Sequence, residues 1–464
     1  MNLMMKKKKI ILIPYPAQGH VTPMLKLASV LSNLGFKPVI ITPEFIHTRI
    51  SSQINPIDHG ILSLSINPHD GGGLNSTPEE KDFFAIEMAM EKYMPLYLEK
   101  IVLNMDDDEE DDGGNGIACF VVDLLSSWAV DVARRCGIPV AGFWPAMQST
   151  YRLIAAIPHL IQTGVISEHG SPQEEEEEEN ENANAAIIFS PNDPPLTPNG
   201  LPWLIGSPSS RSSRFKFWTR TLERSKTLPW ILTNSFPDEP QSQSNGNTGN
   251  NHQPRIFEIG PLIMQQSGSI ISFREEEDHL SCLKWLDNQK IGSVVYISFG
   301  SWVSPIGEEK VRNLALALES AQRPFLWVLA PAWRPDGWYA DGDRLGLGRV
   351  VSWAPQMEVL RHPGVGCYLT HCGWNSTLEG ILCNKPFLCY PIAGDQFLNR
   401  EYIVNVWKIG VKVEDGFEQL EEGITNVLDD EEMRFRIQRL NHKVFGTQGT
   451  STAMSTFSQF IQQL

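Results

Sequence analysis

The chain has 464 residues, 41% of them hydrophobic and 20% charged, with a formal net charge of −17. At roughly 150 residues per domain this is two or three domains with real cores, which excludes a disordered chain or a small disulfide-stapled scaffold. Asp106 to Asp112 and Glu174 to Glu181 each carry seven negative charges, so removing both runs leaves −3 and no basic face for a nucleic acid.

From the N-terminus, the lysine-rich start is followed by the apolar run Ile10 to Ile13, which stops at Pro14 and is too short for a signal peptide. No apolar stretch of about 20 residues follows, so no membrane span is expected. Seven cysteines without a CxxC pair suit a reducing compartment. The chain reads as a soluble, cytoplasmic monomer.

Residues 10–13 read as a buried strand and 21–34 as a helix, with apolar residues at Leu25, Ala28, Leu31 and Leu34. Strands follow over 37–42, 116–122 and 140–143, with a helix over 126–136. The acidic runs read as solvated loop inserts. The composition breaks at 241–253, QSQSNGNTGNNHQ, which cannot build a core and reads as a linker. A second alternating series then begins: strands over 293–299, 325–329, 365–370 and 386–390, and a helix over 308–321. A final helix over 451–463 can pack on either half. Strands alternating with helices predict α/β architecture with two doubly wound parallel sheets. Such folds place ligands beyond the carboxyl ends of the strands.

Chemistry is therefore sought in the strand-to-helix turns. The first turn lacks GxGxxG, which argues against a dinucleotide enzyme, and no GxSxG elbow supports an esterase. It offers His20, a general base or else an exposed or capping histidine. Asp123 ends a strand of the same sheet and either orients His20 or caps the next helix. In the second half, the strand 365–370 runs into HCGWNSTLEG at 371–380. A helix N-terminus there suits an anion, with His371, Asn375 and Ser376 as donors to a diphosphate. Glu379 shares the face of Asn375 and Ser376 and could accept ribose hydroxyls; Ser376-x-x-Glu379 also reads as a capping box. Trp353 offers a flat face for a base or is a core tryptophan. Asp395 and Gln396 suit a polyol or begin the helix at 397–407.

The 44 residues from Trp353 to Gln396 resemble the signature box of plant secondary-product UDP-glycosyltransferases, members of glycosyltransferase family 1. PYPAQGHVTPMLKLA at 14–28 and YISFGS at 296–301 resemble the same family. The resemblance implies a GT-B fold of two facing Rossmann-like domains: an acceptor domain over 1–240, a linker over 241–254, a donor domain over 255–445, and a last helix over 446–464 crossing back. It implies inverting transfer from UDP-glucose, as co-substrate, to a small lipophilic acceptor, with no metal or other cofactor. By resemblance His20 is the base and Asp123 its partner. Trp353 stacks on uracil, whose edge the Ala354 backbone reads. Gln356 and Glu379 hold the ribose. Ser301, His371, Asn375 and Ser376 bind the diphosphate, and Trp374, Asp395 and Gln396 the sugar. Glutamine at 396 favours glucose, because histidine there often accompanies galactose.

Two departures loosen that assignment. Pro145 replaces a hydroxyl residue that in many members reaches the sugar 6-position, and Ala393 replaces a frequent tryptophan. Trp144, Pro145 and Gly394 are candidates to line the acceptor site. Phe83, Phe143 and Met147 are further candidates, equally well explained as core. A non-catalytic nucleotide-sugar-binding protein, or a transferase using another UDP-sugar, is the competing reading.

Overall fold

The computed structural model describes residues 8–51, 61–66, 83–107, 116–172, 186–237, 253–262, 276–300, 306–335, 344–345, 347–413 and 417–464. The chain divides into two compact units. The first comprises Met1–Ile157, Ser207–Ile271 and Ser451–Leu464; the second comprises Pro158–Gly206 and Ser272–Thr450.

The first unit holds strands β1 (Lys9–Ile13), β2 (Lys37–Pro43), β3 (Leu62–Ile66), β4 (Ile117–Asp123), β5 (Val140–Trp144), β6 (Trp230–Thr233) and β7 (Arg255–Glu258). They form one parallel sheet in the order β3-β2-β1-β4-β5-β6-β7. The second unit holds β8 (Val294–Ser298), β9 (Phe325–Val328), β10 (Arg344–Leu345), β11 (Gly348–Val351), β12 (Val365–Thr370), β13 (Phe387–Cys389) and β14 (Gly410–Lys412). Their order is β10-β11-β9-β8-β12-β13-β14, with only the short β10 antiparallel to its neighbour among the described strands.

Strands covered by helices on both faces need apolar residues at every position rather than at alternate ones. β1 and β4 meet that demand: Ile10, Ile11 and Leu12, like Phe120, Val121 and Val122, are fully buried. In each sheet the strand order reverses once, between β1 and β4 and between β8 and β12. Helices leaving such a pair diverge to opposite faces and open a crevice at the carboxyl ends of the strands.

Several elements differ from the sequence reading. β3, β6, β7, β10, β11 and β14 are absent from it, all but β3 because runs of two to four residues carry too little pattern. The 25-residue helix Phe83–Asp107 is also absent, and it contains Asp106 and Asp107. The first acidic run therefore starts in a helix rather than a loop; residues 108–112 and 174–181 lie outside the described residues. The first helix is Gln18–Asn33, beginning directly after the extended Ala17 and so earlier than expected, with Pro23 inside it. The expected helix 397–407 is Gln396–Glu401 followed by a π-helical turn, Tyr402–Val406.

The last helix, Thr447–Ile461, completes the core of the first unit. Phe457 and Phe460 are buried there, and the Phe460 ring lies edge-on to Trp230 at 5.9 Å and to Phe257 at 5.8 Å. All seven cysteines are free thiols. No described helix is long and apolar enough to cross a membrane. Phe460→Ala is expected to cost about 3–5 kcal/mol, since it empties a packed site; urea unfolding of the variant with wild type as reference measures it.

Candidate functional site

In the first unit, the ends of β1 and β4 bring His20 and Asp123 together. His20 is the third residue of its helix, and its Nδ1 lies 2.8 Å from Asp123 Oδ2. Asp123 is fully buried, while the His20 side chain keeps 21% of its exposure. The other carboxylate oxygen, Oδ1, accepts the backbone N–H of Leu125 at 2.9 Å and caps the 3₁₀ turn Leu124–Ser126. The two readings of Asp123 are thus both realised, one per oxygen. An ionised carboxylate only accepts, so His20 donates from Nδ1 and carries its lone pair on Nε2. Tyr15 packs edge-on against the imidazole at 5.3 Å between ring centres.

The turn below Asp123 is itself held. Ser126 Oγ donates to the Pro14 carbonyl at 3.2 Å, tying the end of β4 to the end of β1. Arg224 reaches Ser127 Oγ at 3.5 Å and pairs with Glu91 at 2.5 Å, while Arg220 pairs with Glu87 at 2.7 Å. Burial raises the carboxyl of Glu87 above its ordinary value, against the opposing pull of Arg220.

Four further candidates in this unit are buried. Trp144 is buried, donates from its indole to the Met147 carbonyl at 3.0 Å, and packs on Tyr151 and Trp218. Phe143 and Met147 are buried too. Pro145 is buried, and its carbonyl accepts from Asn234 at 3.4 Å. The side chain of Phe83 lies outside the described residues, as does Ser301 in the second unit.

In the second unit the ends of β8 and β12 carry the anion-type site. Cys372 turns the chain from β12 into the helix Trp374–Leu382 with a φ of +64°, and its N–H donates to Thr370 Oγ1 at 3.2 Å. Gly373 is the N-cap, so Asn375 and Ser376 occupy the first turn. Ser376 is not the cap, and Ser376 and Glu379 form no capping box. His371 sits between two glycines. A Cβ on Gly300 would meet its Nε2 at 2.9 Å, and one on Gly373 at 2.4 Å. Burial lowers the His371 imidazole to about 4, against a smaller upward push from the Ser298 backbone. It is therefore neutral at pH 7 and can offer a phosphate an N–H but no charge.

Glu379 is drawn into a different network. Gln356, the first residue of the helix Gln356–Arg361, donates from Nε2 to Glu379 Oε2 at 2.6 Å and to Ser376 Oγ at 3.3 Å. Its Oε1 accepts from the hydroxyls of Tyr296 and Tyr368, each at 3.2 Å. Those tyrosines stack at 5.1 Å and are fully buried, which raises both phenols above their ordinary value. The carboxylate is thus preoriented on Gln356. Trp353 is half-buried just before that helix, and Ala354 is buried.

Asp395 stands at the N-cap position of its helix but makes no capping bond; its Oδ2 accepts from Asn399 Nδ2 at 2.8 Å. Asn399 also donates to the Cys372 carbonyl at 2.9 Å, joining the polyol pair to the anion turn. Gln396 is buried, and its Oε1 accepts the N–H groups of Ile392 and Ala393, both at 2.8 Å. Its Nε2 hydrogens remain as donors. Gly394 has a φ of +64° and open space where a Cβ would stand. Trp374 is buried, with its indole tilted against Trp407 at 6.5 Å.

Tyr296, Tyr368, Asn399 and Gly300 are given no role in the sequence reading. The tyrosines could have been found as polar-tipped residues in otherwise apolar strands, and Asn399 as the i+4 neighbour of Asp395. Among the described residues, no cluster of three or more His, Cys, Asp or Glu is placed to hold a metal ion.

Residues 264–443 match the family model for UDP-glucoronosyl and UDP-glucosyl transferases. The chain is 47% identical to UDP-glycosyltransferase 82A1 of Arabidopsis thaliana, over 98% of each chain. It belongs to the plant UDP-glycosyltransferase family. This UDP-glycosyltransferase superposes with a TM-score of 0.79 and 22% identity on a UDP-glucose: anthocyanidin 3-O-glucosyltransferase solved with UDP, covering 99% of both chains. On Medicago truncatula UGT71G1, solved with UDP-glucose, the TM-score is 0.75 at 22% identity over 98% of both chains. Those likenesses are of fold, and the fold of this UDP-glycosyltransferase is GT-B.

The lowered pKa of His371 has a sign. The unfolded imidazole binds a proton near pH 6.5 and the folded one only near 4, so the contribution is complete above pH 6.5 and is lost as pH falls toward 4. Stability is expected to drop by about 2 kcal/mol from this group between pH 7 and pH 5. Urea midpoints at the two pH values, in wild type and in His371→Gln, check it: the variant should lose that much less.

Proposed function

We propose that this glycosyltransferase moves glucose from UDP-glucose to a hydroxyl of a small lipophilic metabolite, such as a flavonoid, phenolic or terpenoid, with inversion and without a metal ion. The observation that carries the proposal is the 2.8 Å contact between His20 Nδ1 and the fully buried Asp123 carboxylate. It fixes the tautomer that a base needs and steadies the cation that forms when the base works. The acceptor O–H gives its proton to His20 Nε2. The oxygen attacks the anomeric carbon of the sugar, the bond from that carbon to the diphosphate breaks, and its electron pair leaves on UDP.

The charge arriving on UDP needs fixed donors. In this reading the first turn of the helix Trp374–Leu382, with Asn375, Ser376 and the neutral His371, supplies them, and the unit that includes Ser301 is the donor-binding one. Trp353 stacks on uracil and the Ala354 backbone reads its edge. Glu379, oriented by Gln356, accepts the ribose hydroxyls. Asp395 and Gln396 hold the sugar. With proline at 145 there is no hydroxyl side chain there for the sugar 6-position, so sugar choice falls on that pair. The solved relatives that bind UDP-glucose and UDP support the donor class. Seven free thiols support a cytoplasmic site of action.

His20→Ala is expected to lower kcat by at least about 10²-fold, the usual size of general-base catalysis, with UDP affinity unchanged. Product formation by mass spectrometry and UDP titration by calorimetry measure the two; equal loss of both would make His20 structural. Trp353→Ala should leave the protein folded and weaken UDP by about 1–3 kcal/mol, the cost of one base–aromatic stack. The same titration reads it, and an unchanged affinity would remove Trp353 from the uracil site.

A further inference from the structure

One buried polar contact in the second unit lies outside the donor network. Segment 186–206 packs against the helix that begins with Gln396. The Tyr402 hydroxyl donates to Asp193 Oδ1 at 2.5 Å across 209 residues of sequence. Both side chains are buried, Tyr402 at 2% exposure and Asp193 at 7%. A carboxylate that is taken out of water and met by a short O–H bond makes a strong and directional contact. Beside it, a Cβ on Gly200 would come within 3.3 Å of Phe397 Cβ and 2.7 Å of Leu196, so segment and helix touch without slack.

Tyr402 is placed to transmit that contact. It follows Glu401, the last residue of the helix that opens with Gln396, and starts the π-helical turn, where the Trp407 N–H donates to the Tyr402 carbonyl at 2.7 Å. Its ring packs on Trp407 at 5.3 Å, and Trp407 packs on Trp374, the first residue of the anion-site helix. The contact therefore bears on the two helices that carry Asp395, Gln396 and the diphosphate donors.

We infer that Asp193 and Tyr402 are positioning residues that set the sugar-binding end of the donor site and so its choice of hexose. The inference rests on the assignment of Asp395 and Gln396 to the sugar. UDP-glucose and UDP-galactose differ only in the orientation of one hydroxyl. A helix displaced by a few tenths of an ångström would lose that distinction before it lost the nucleotide. Trp353 and Gln356 belong to other elements, and Glu379, although on the helix of Trp374, is held by Gln356.

The test uses the full-length chain and three variants, Tyr402→Phe, Asp193→Asn and Gln396→Ala, with both UDP-sugars and a fixed acceptor. Tyr402→Phe keeps the ring and removes the bond. It is expected to raise KM for UDP-glucose about tenfold, the equivalent of one charge-assisted hydrogen bond. The kcat/KM ratio of UDP-glucose to UDP-galactose should fall by a similar factor, while the Kd for UDP stays as in wild type. Asp193→Asn retains an oxygen for the hydroxyl and should show the same changes at smaller size; it also serves if Tyr402→Phe, which takes a donor from a buried carboxylate, prevents folding. An unchanged sugar ratio in both variants overturns the inference, as does a loss of UDP affinity equal to the rise in KM. If Gln396→Ala leaves the sugar ratio unaltered, the assignment of the sugar site fails, and the inference falls with it.

Discussion

Parallel strands can be joined only by connections that return over a face of the sheet, and both faces are then covered. That constraint governs everything else in this protein. It demands strands such as KIILI and IACFVVD with no polar residue in their middle. It also aligns all carboxyl ends at one edge, so polar residues gather where the strands stop. Asp123 is the last residue of β4, and Thr370 the last of β12. Each sheet reverses its strand order once, and there the diverging connections leave room for a ligand. His20 with Asp123, and Gly300 with His371, stand at those two reversals.

The two sites use charge differently. In the first unit a buried carboxylate is kept by two hydrogen bonds, from His20 and from the Leu125 backbone. In the second, the histidine is neutral because burial opposes its charging. An anion meeting it finds oriented dipoles in place of a cation. A dipole field stays fixed in a dry site and does not release a proton when the ligand departs.

The fold class was legible because fully buried strands of five or more residues dominate the sequence, and their alternation with helices has few alternatives. Short strands such as β6, β7 and β14 are set by neighbours, since three or four residues have no period of their own. The pairing of His20 with Asp123 follows from both lying at strand ends in one sheet; the split between the carboxylate's two oxygens does not, because it depends on a backbone N–H two residues on. The capping-box reading of Ser376 and Glu379 failed because Gly373, lacking a side chain, already holds the cap position. The hub at Gln356 was hidden for a different reason: Tyr296 and Tyr368 come from separate strands, and only the register of β8 on β12 puts them opposite each other.

The C-terminal helix imposes an order on biosynthesis. Ile10 and Leu12 share a core with Phe457 and Phe460, residues that are translated more than four hundred positions later. At about 5–20 residues per second, that core waits roughly 20 to 90 seconds for its closing pieces. Residues 272–450 are all made in the meantime, so the second unit has its full complement of chain before the first does. The earliest apolar strands to leave the ribosome are the last to be sealed.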